Sequence, residues 1–216
     1  MSCSAGDYFF DLNDLDNARC YYGQARAAAH EARNTELSIY ALCSISYAAS
    51  SQGKAHAGID LAAAAQSLTI QTDDQLLRVC AAERAGTAYA VDGQYKLFMA
   101  EFDRAQNDLI SAGDVLPESP AYYYHEGLLA SHRSECLLLP KKPNEAAASA
   151  RTGLTVFNKS YVDGYALGSA ASLAAQNRQT HLVKELHTAR ARMQPWQGTP
   201  AVKELDERLV GMGFGV

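Results

Sequence analysis

The sequence AGTAYAVDG, at residues 85–93, decides the fold that we predict for this chain. Gly86 lies inside a helical pattern, where a glycine costs about 1 kcal/mol relative to alanine, so its presence needs a packing reason. The simplest reason is a second helix that crosses close to Gly86. Tyr89, three residues later, would then pack between the two helices, and Gly93 would end the first of them. The stretch therefore predicts a pair of helices joined by a tight turn.

A second copy of this pattern lies at the start of the chain. Helical spacing places Gly6 and Phe9 in one helix, and Ala18, Tyr22 and Ala25 on a single face of the next. Turns are also predicted further along, at intervals somewhat longer than the roughly 34 residues of a tetratricopeptide repeat. The predicted turn residues are Asn13, Gly53, Gly93, Lys141 and Asn177.

These units predict an all-α fold: a right-handed superhelical stack of about five antiparallel helix pairs, or tetratricopeptide-like α-solenoid, with a C-terminal capping helix. We expect Thr35 to be the N-cap of a helix and residues 113–120, with two prolines, to form a loop. Residues 1–216 are predicted to be a single domain. Its helix pairs are expected at about 4–33, 35–68, 73–112, 121–157 and 161–193, and the cap at 199–210.

The composition argues against several classes of function. The formal net charge is −5, whereas a nucleic-acid interface needs a basic face, so we predict no direct nucleic-acid binding. The cysteines are widely separated and lack metal-ligand spacing, so we expect reduced thiols and neither a metal nor a cofactor. The start of the chain does not read as a signal peptide, and no apolar run reaches the ~20 residues of a membrane span. We therefore expect a cytoplasmic protein that does not contact a membrane.

In a stack of helix pairs, the first helix of each pair lines the concave face. The side chains expected on that face are aromatic, with a few carboxylates. Such a groove suits an extended or helical peptide with apolar side chains and a basic group, or a small aromatic ligand. The alternative is that these residues only pack against neighbouring helices. The predicted groove residues are Phe10, Tyr40, Cys43, Tyr47, Cys80, Glu83, Thr87, Tyr124, Leu128, Ser131 and Glu135, with Leu167 and Ala171 in the fifth pair.

The segment from Tyr122 to His132 is the richest in reactive side chains. A helix predicted over residues 121–139 would place His125 and His132 on one face, about 10 Å apart along the axis. That separation is too large for the two rings to share one zinc ion. We expect histidines at a hydrogen-bonded helix interface and no catalytic residues. The alternative is acid–base chemistry on a bound small molecule, for which the candidates are His125, His132, Tyr124 and Glu135.

Six short segments follow one another in an order that covers nearly the whole chain. They are ARCYYGQA at 18–25, AHEA at 29–32, ALCSISY at 41–47, DRA at 103–105, YYHE at 123–126 and CLL at 136–138. Together they resemble the tetratricopeptide regions of actinobacterial helix-turn-helix transcriptional regulators. In that family a DNA-binding domain precedes the helical array, and the array senses a ligand or partner and governs oligomerisation. The resemblance implies that this chain is the sensor region of such a regulator, or a stand-alone relative put to another use.

We therefore predict a non-catalytic interaction or sensor domain that binds a peptide or protein partner in its concave groove. Two other classes stay open on the sequence. One is a stand-alone small-molecule-binding protein or enzyme that uses the groove as a closed pocket. The other is a dimerisation scaffold, because the first helix of the first pair has few residues before Gly6 and would leave an apolar face for a second copy.

Overall fold

The computed structural model of the chain describes residues 2–112 and 118–163, with isolated residues at 191, 194, 197, 198 and 203. All regular structure in these ranges is helical, which confirms the all-α prediction for this part of the chain. A 3-10 turn, Thr69–Gln71, follows the fourth helix. The helices are α1 (Ser2–Asp11), α2 (Leu15–Glu31), α3 (Thr35–Ser51), α4 (Ala55–Leu68), α5 (Gln75–Val91), α6 (Tyr95–Ser111), α7 (Glu126–Leu138) and α8 (Pro143–Asp163).

The chain divides into two compact units. The first comprises residues 1–10 and 14–157 and contains nearly all of the described helices. The second comprises residues 11–13 and 158–216, of which few are described. The candidate site described below lies in the first unit. The predicted cap at 199–210, the turn at Asn177 and most of the fifth pair lie outside the described residues.

Five of the turns between the described helices share one backbone conformation. Gly53 and Gly93, at the α3–α4 and α5–α6 turns, have φ of 75° and 76°, in the left-handed region that glycine adopts without a steric cost. In both turns the amide after the glycine donates a hydrogen bond back to the helix. Lys54 N donates to Ala49 O, and Gln94 N donates to Tyr89 O, each at 2.9 Å. The other left-handed turn residues are Asn13, Arg33 and Lys141. The four described turn residues that the sequence predicted are thus all in this conformation.

Short polar side chains fix where the helices begin. Asn34 caps α3, because its side-chain oxygen accepts a hydrogen bond from Leu37 N at 2.8 Å. The prediction that Thr35 is this cap was wrong by one residue, since Thr35 already belongs to the helix. Asp74 caps α5 in the same way and accepts from the two amides at Leu76 and Leu77.

The glycines inside helices are sites of close helix approach. A Cβ placed on Gly86 would lie 2.6 Å from Cδ2 of Phe102, on α6, so only glycine lets the two helices pack at this distance. A Cβ on Gly6 would overlap the ring of Tyr22, on α2. In both pairs the aromatic residue follows its glycine by 16 positions. The packing reason predicted for Gly86 is confirmed, and it recurs at Gly6.

The helices pack in a recurrent order. Besides its neighbours in sequence, α2 and α4, helix α3 contacts α5, and α5 contacts α7 in addition to α4 and α6. Helices α3, α5 and α7 therefore lie side by side. The largest fully buried side chains include Phe98, Phe102, Ile39, Leu42 and Leu77.

The fourth pair differs from its prediction at both ends. Helix α7 begins at Glu126 and not at residue 121, because His125 is its N-cap and the residues before it form turns. Those turns are held by hydrogen bonds from Tyr122 N to Ser119 O and from Tyr124 N to Ala121 O. Helix α8 continues to Asp163, beyond the predicted end at residue 157 and into the predicted start of the fifth pair.

Candidate binding site

The centre of the candidate site is the carboxylate of Glu83, on the face of α5 that packs between α3 and α7. Its side chain is completely buried. Thr87, one helical turn later, donates a hydrogen bond to Oε1 at 2.8 Å, and the Tyr124 hydroxyl donates to Oε2 at 2.9 Å. Because a buried charge is tolerated only when it is paired and hydrogen-bonded, these two donors help to hold a carboxylate where water is excluded.

Two basic side chains complete the surroundings of Glu83. Nη1 of Arg84 lies 2.9 Å from Oε2, and Nδ1 of His132, on α7, lies 3.3 Å from Oε1. Burial alone would raise the pKa of Glu83, but the charges of Arg84 and His132 and the hydrogen bonds lower it to about 2. The carboxylate is therefore ionised at neutral pH. We call Glu83, Arg84, Thr87, Tyr124 and His132 the Glu83 cluster.

The guanidinium of Arg84 lies over the aromatic ring of Tyr47. Its central carbon lies 3.9 Å from the centroid of the Tyr47 ring, on α3. The Tyr47 ring also stacks on Phe10 at 5.0 Å and on His132 at 5.9 Å between centroids. Burial disfavours the charged form of Arg84, but the neighbouring carboxylate of Glu83 more than offsets this and raises its pKa. Arg84 is thus a permanent cation that contacts a ring face.

Phenol groups surround these charges. The Tyr123 hydroxyl donates to the Tyr40 hydroxyl at 3.3 Å, and the Tyr22 hydroxyl donates to Asp7 at 2.8 Å. Burial raises the pKa of all three phenols, that of Tyr40 to about 12, while the positive charge of Arg84 acts in the opposite direction. They therefore stay protonated and can serve only as neutral donors and acceptors.

Three buried thiols lie beside the cluster. Cys43 and Cys80 interact with each other between α3 and α5, and this interaction raises the pKa of Cys43 and lowers that of Cys80. Cys136 Sγ donates to Thr87 Oγ1 at 3.7 Å. Burial raises the pKa of Cys136. The thiols extend the polar network on both sides of Glu83.

The predicted groove residues fall into three groups by exposure. One group is buried and forms the cluster or its walls: Phe10, Cys43, Cys80, Glu83, Thr87 and Tyr124. A second group is partly exposed and comprises Tyr40, Tyr47, Leu128 and Ser131, whereas Glu135 is exposed. Leu167 and Ala171 lie outside the described residues. The structure thus brings most of the predicted residues onto one face, but fills part of that face with their own side chains.

Arg84 and Tyr123 are the site residues that sequence reasoning missed. Arg84 carried a usable signal, because it follows Cys80 by four positions and so shares a helix face with Cys80 and Thr87. For Tyr123 no comparable signal exists, since its contact with Tyr40 joins residues 83 positions apart across a turn.

The two histidines of the acid–base alternative do not share a helix face. His125 precedes α7, and its Nδ1 accepts hydrogen bonds from the amides of Gly127 and Leu128 at 3.1 and 3.4 Å. Burial lowers the pKa of His125, which keeps the ring neutral as this capping role requires. His132 instead contacts Glu83. The prediction that His125 and His132 lie on one face was therefore wrong, because the helix begins later than its sequence pattern suggested.

Among the described residues, no group of three or more His, Cys, Asp and Glu side chains is arranged to hold a metal ion. In the same ranges, none of the helices has the length and apolar content needed to cross a bilayer. No family model matches the chain, and neither a curated protein nor a solved structure does. The function therefore has to be inferred from the site itself.

Proposed function

We propose that the chain is a tetratricopeptide-like, non-catalytic recognition domain that binds a peptide or protein partner on the face formed by α3, α5 and α7. The observation that carries the proposal is the convergence of aromatic and charged side chains from these three helices around Glu83. In a stack of helix pairs, these helices are the ones that line the concave side.

The proposed architecture is a right-handed superhelical stack of about five pairs with a C-terminal cap. Its support is the recurrence of one packing unit: Gly6 with Tyr22, and Gly86 with Phe102, at the same spacing. The common left-handed turn residues and the contacts of α5 with both α3 and α7 also fit such a stack. The role as a sensor region of a transcriptional regulator rests on the resemblance of the sequence segments alone.

The exposure pattern favours a peptide as the partner. Tyr40, Tyr47 and Leu128 are partly exposed next to the buried cluster, and Glu135 adds an exposed carboxylate on α7. Partly buried aromatic rings that pack on a rigid, buried cluster are typical anchors for apolar side chains of a partner. A carboxylate at the edge complements a basic group. This arrangement suits an apolar peptide segment with one basic residue.

A peptide selection tests the proposal. Random peptides displayed on phage are selected on the full chain, and the affinity of a selected synthetic peptide is measured by calorimetry. Tyr40→Ala and Leu128→Asp change the proposed face, whereas His56→Ala changes an exposed residue on α4. We expect at least about a tenfold loss of affinity for the first two variants and none for the third. No selected peptide, or equal affinity for all three variants, would overturn the proposal.

The other predicted classes are separated from this one by simple measurements. A small-molecule role would draw on His132, whose Nδ1 lies 3.3 Å from Oε1 of Glu83. The acid–base set that the structure allows is therefore His132 and Tyr124 around Glu83, without His125. The alternative of a homodimer is tested by sedimentation at several protein concentrations, where a constant monomer mass would exclude it.

A further inference from the structure

A cavity of about 740 Å³ lies beside the turn between α2 and α3. Its walls are the second half of α2, the first two turns of α3 and the segment from Leu68 to Gln71 at the end of α4. Pockets that hold small organic molecules typically measure roughly 300–1,000 Å³, so this space is large enough for one. Among the described residues that line it, none belongs to the Glu83 cluster or to the predicted groove.

One wall of the cavity is basic. Arg26, His30 and Arg33 follow one another at helical spacing, which places them on one side of α2 and of the turn that ends it. All three side chains are exposed, and none makes a hydrogen bond or an ion pair with any residue that the structure describes. The described lining contains no Asp or Glu. A concave surface whose charged groups are all basic concentrates positive potential, although the chain has a net charge of −5.

The end of α2 does not by itself account for this wall. The carboxyl end of a helix favours basic residues only within its last turn, which here contains His30. Arg26 precedes that turn, and like charges one helical turn apart repel each other. An anion in the cavity would offset this repulsion and would supply the acceptors that these side chains lack within the described chain.

Neutral donors and apolar side chains complete the lining. The side-chain oxygen of Asn34 accepts from Leu37 N, so its amide group remains to donate to a ligand, as does the hydroxyl of Thr35. The apolar part of the lining includes Leu42, which is 2% exposed, and the partly buried Leu68. The ligand that fits this combination carries an anionic group on an apolar body.

The two arginines favour a phosphate as the anionic group. A phosphate monoester carries about −1.5 to −2 charges at pH 7 and three acceptor oxygens, which match two guanidiniums and the donors between them. Arg26 and Arg33 are about two helical turns apart, with His30 between them. Their long side chains can close on one phosphate from opposite sides.

We propose that this cavity binds a small organic phosphate monoester, with the phosphate between Arg26 and Arg33 and the apolar body against Leu42 and Leu68. Asn34 and Thr35 donate further hydrogen bonds to the ligand. The site is separate from the proposed peptide face and does not depend on it.

Calorimetric titration of the full chain with phenyl phosphate tests the site, in a phosphate-free buffer at constant ionic strength. Phenol is the control without the anion, inorganic phosphate is the control without the apolar body, and phenyl sulfate keeps the shape with a single charge. We expect saturable binding of phenyl phosphate at one site and none of phenol. Phenyl sulfate and inorganic phosphate should each bind at least about fivefold more weakly.

Each alternative result has a definite meaning. Lack of saturable binding by phenyl phosphate, or equal affinity for phenol, overturns the site. Equal affinity for phenyl sulfate or for inorganic phosphate overturns the assignment to an organic phosphate monoester. Tighter binding of the tripeptide Gly-phosphotyrosine-Gly than of phenyl phosphate overturns the small molecule as the ligand and assigns a phosphorylated chain. Failure of the peptide selection on the face of α3, α5 and α7 would leave these results unaffected, so the two proposals fail independently.

Variants test the two parts of the cavity. Arg26→Gln and Arg33→Gln each remove one cation from an exposed position, and we expect at least about a tenfold loss of affinity for phenyl phosphate. Arg104→Gln, at a half-exposed arginine of α6, is the matched control and should bind as the wild type does. Unchanged affinity in both Arg26→Gln and Arg33→Gln, or an equal loss in Arg104→Gln, would contradict the assignment.

A steric variant leaves the charges in place. Gly23 lines the cavity, and a Cβ added to it would meet no atom within 4 Å. Gly23→Leu should therefore fold, and its side chain should occupy part of the space and weaken phenyl phosphate binding by at least about threefold. Circular dichroism verifies the helical content of each variant. Wild-type affinity in folded Gly23→Leu would contradict the placement of the ligand in this cavity.

Discussion

Replacing Glu83 by glutamine changes the pH dependence of stability in a way that the structure specifies. The pKa of Glu83 is about 2 in the folded chain and 4.5 in its ordinary state. A carboxyl whose pKa is lowered by folding contributes stability above pH 4.5, and that contribution disappears as the pH falls towards 2. The difference between 4.5 and about 2 corresponds to about 3 kcal/mol. Glu83→Gln has no carboxyl to titrate and should lack this part of the pH dependence.

At neutral pH the same variant should be less stable than the wild type by about 3–5 kcal/mol. Glutamine has the shape of glutamate but not its charge, so Arg84 stays buried without a counter-ion. Because a domain of this kind has roughly 5–15 kcal/mol of stability, the variant is expected to fold. The difference in free energy of unfolding between the wild type and Glu83→Gln should then decrease by about 3 kcal/mol on acidification.

Urea unfolding followed by circular dichroism, at a series of pH values between 7 and 2.5, measures this gap. The other carboxyls titrate in both proteins, so the difference between the two curves isolates Glu83. Glu31→Gln, at an exposed position near the end of α2, controls for the loss of one negative charge. Parallel curves for the wild type and Glu83→Gln would refute the reasoning that Arg84 and His132 hold this carboxylate ionised.

Two further predictions use matched pairs of substitutions and the same urea assay. Gly86→Ala should lower the free energy of unfolding by about 1–3 kcal/mol, because its Cβ would lie 2.6 Å from the buried ring of Phe102. Gly23→Ala meets no atom within 4 Å and should raise it by up to about 1 kcal/mol. Tyr124→Phe should cost about 1–3 kcal/mol, because it removes a donor from the buried carboxylate. Tyr122→Phe, at a 66% exposed ring, should change the free energy of unfolding by less than about 0.5 kcal/mol. Equal midpoints within either pair would contradict the packing described.

The parts of the fold that the sequence predicted well are those set by local chemistry. Helices α3 and α4 together span residues 35–68, the range predicted for the second pair, because a capping residue precedes α3 and Gly53 forms the turn between the two helices. The turn at Gly93 follows from the left-handed conformation that glycine favours. Gly86 was informative for a related reason, since a glycine in a helix interior carries a cost that only close packing offsets.

The errors arose where distant contacts override a local pattern. Residues 121–125 continue the helical periodicity of α7, but they form turns whose tyrosines reach other helices. Tyr124 donates to Glu83 on α5, and Tyr123 donates to Tyr40 on α3. A buried hydrogen bond from a tyrosine hydroxyl contributes more free energy than the helix propensity of one residue, which amounts to a few tenths of a kcal/mol. Such pairings depend on how helices stack, and no spacing within one segment reveals them.

The buried charges bear on function because packing alone does not require them. Replacing a buried ion pair by apolar side chains of similar volume is often neutral or stabilising, so Glu83 and Arg84 are a costly way to fill the space between α3, α5 and α7. The cost is offset for Glu83, whose oxygens are hydrogen-bonded, but not for Arg84, whose Nε and Nη1 are unpaired among the described residues. The pair instead ties α5 to its neighbours through charged groups, because Glu83 contacts His132 on α7 and Arg84 contacts the Tyr47 ring on α3.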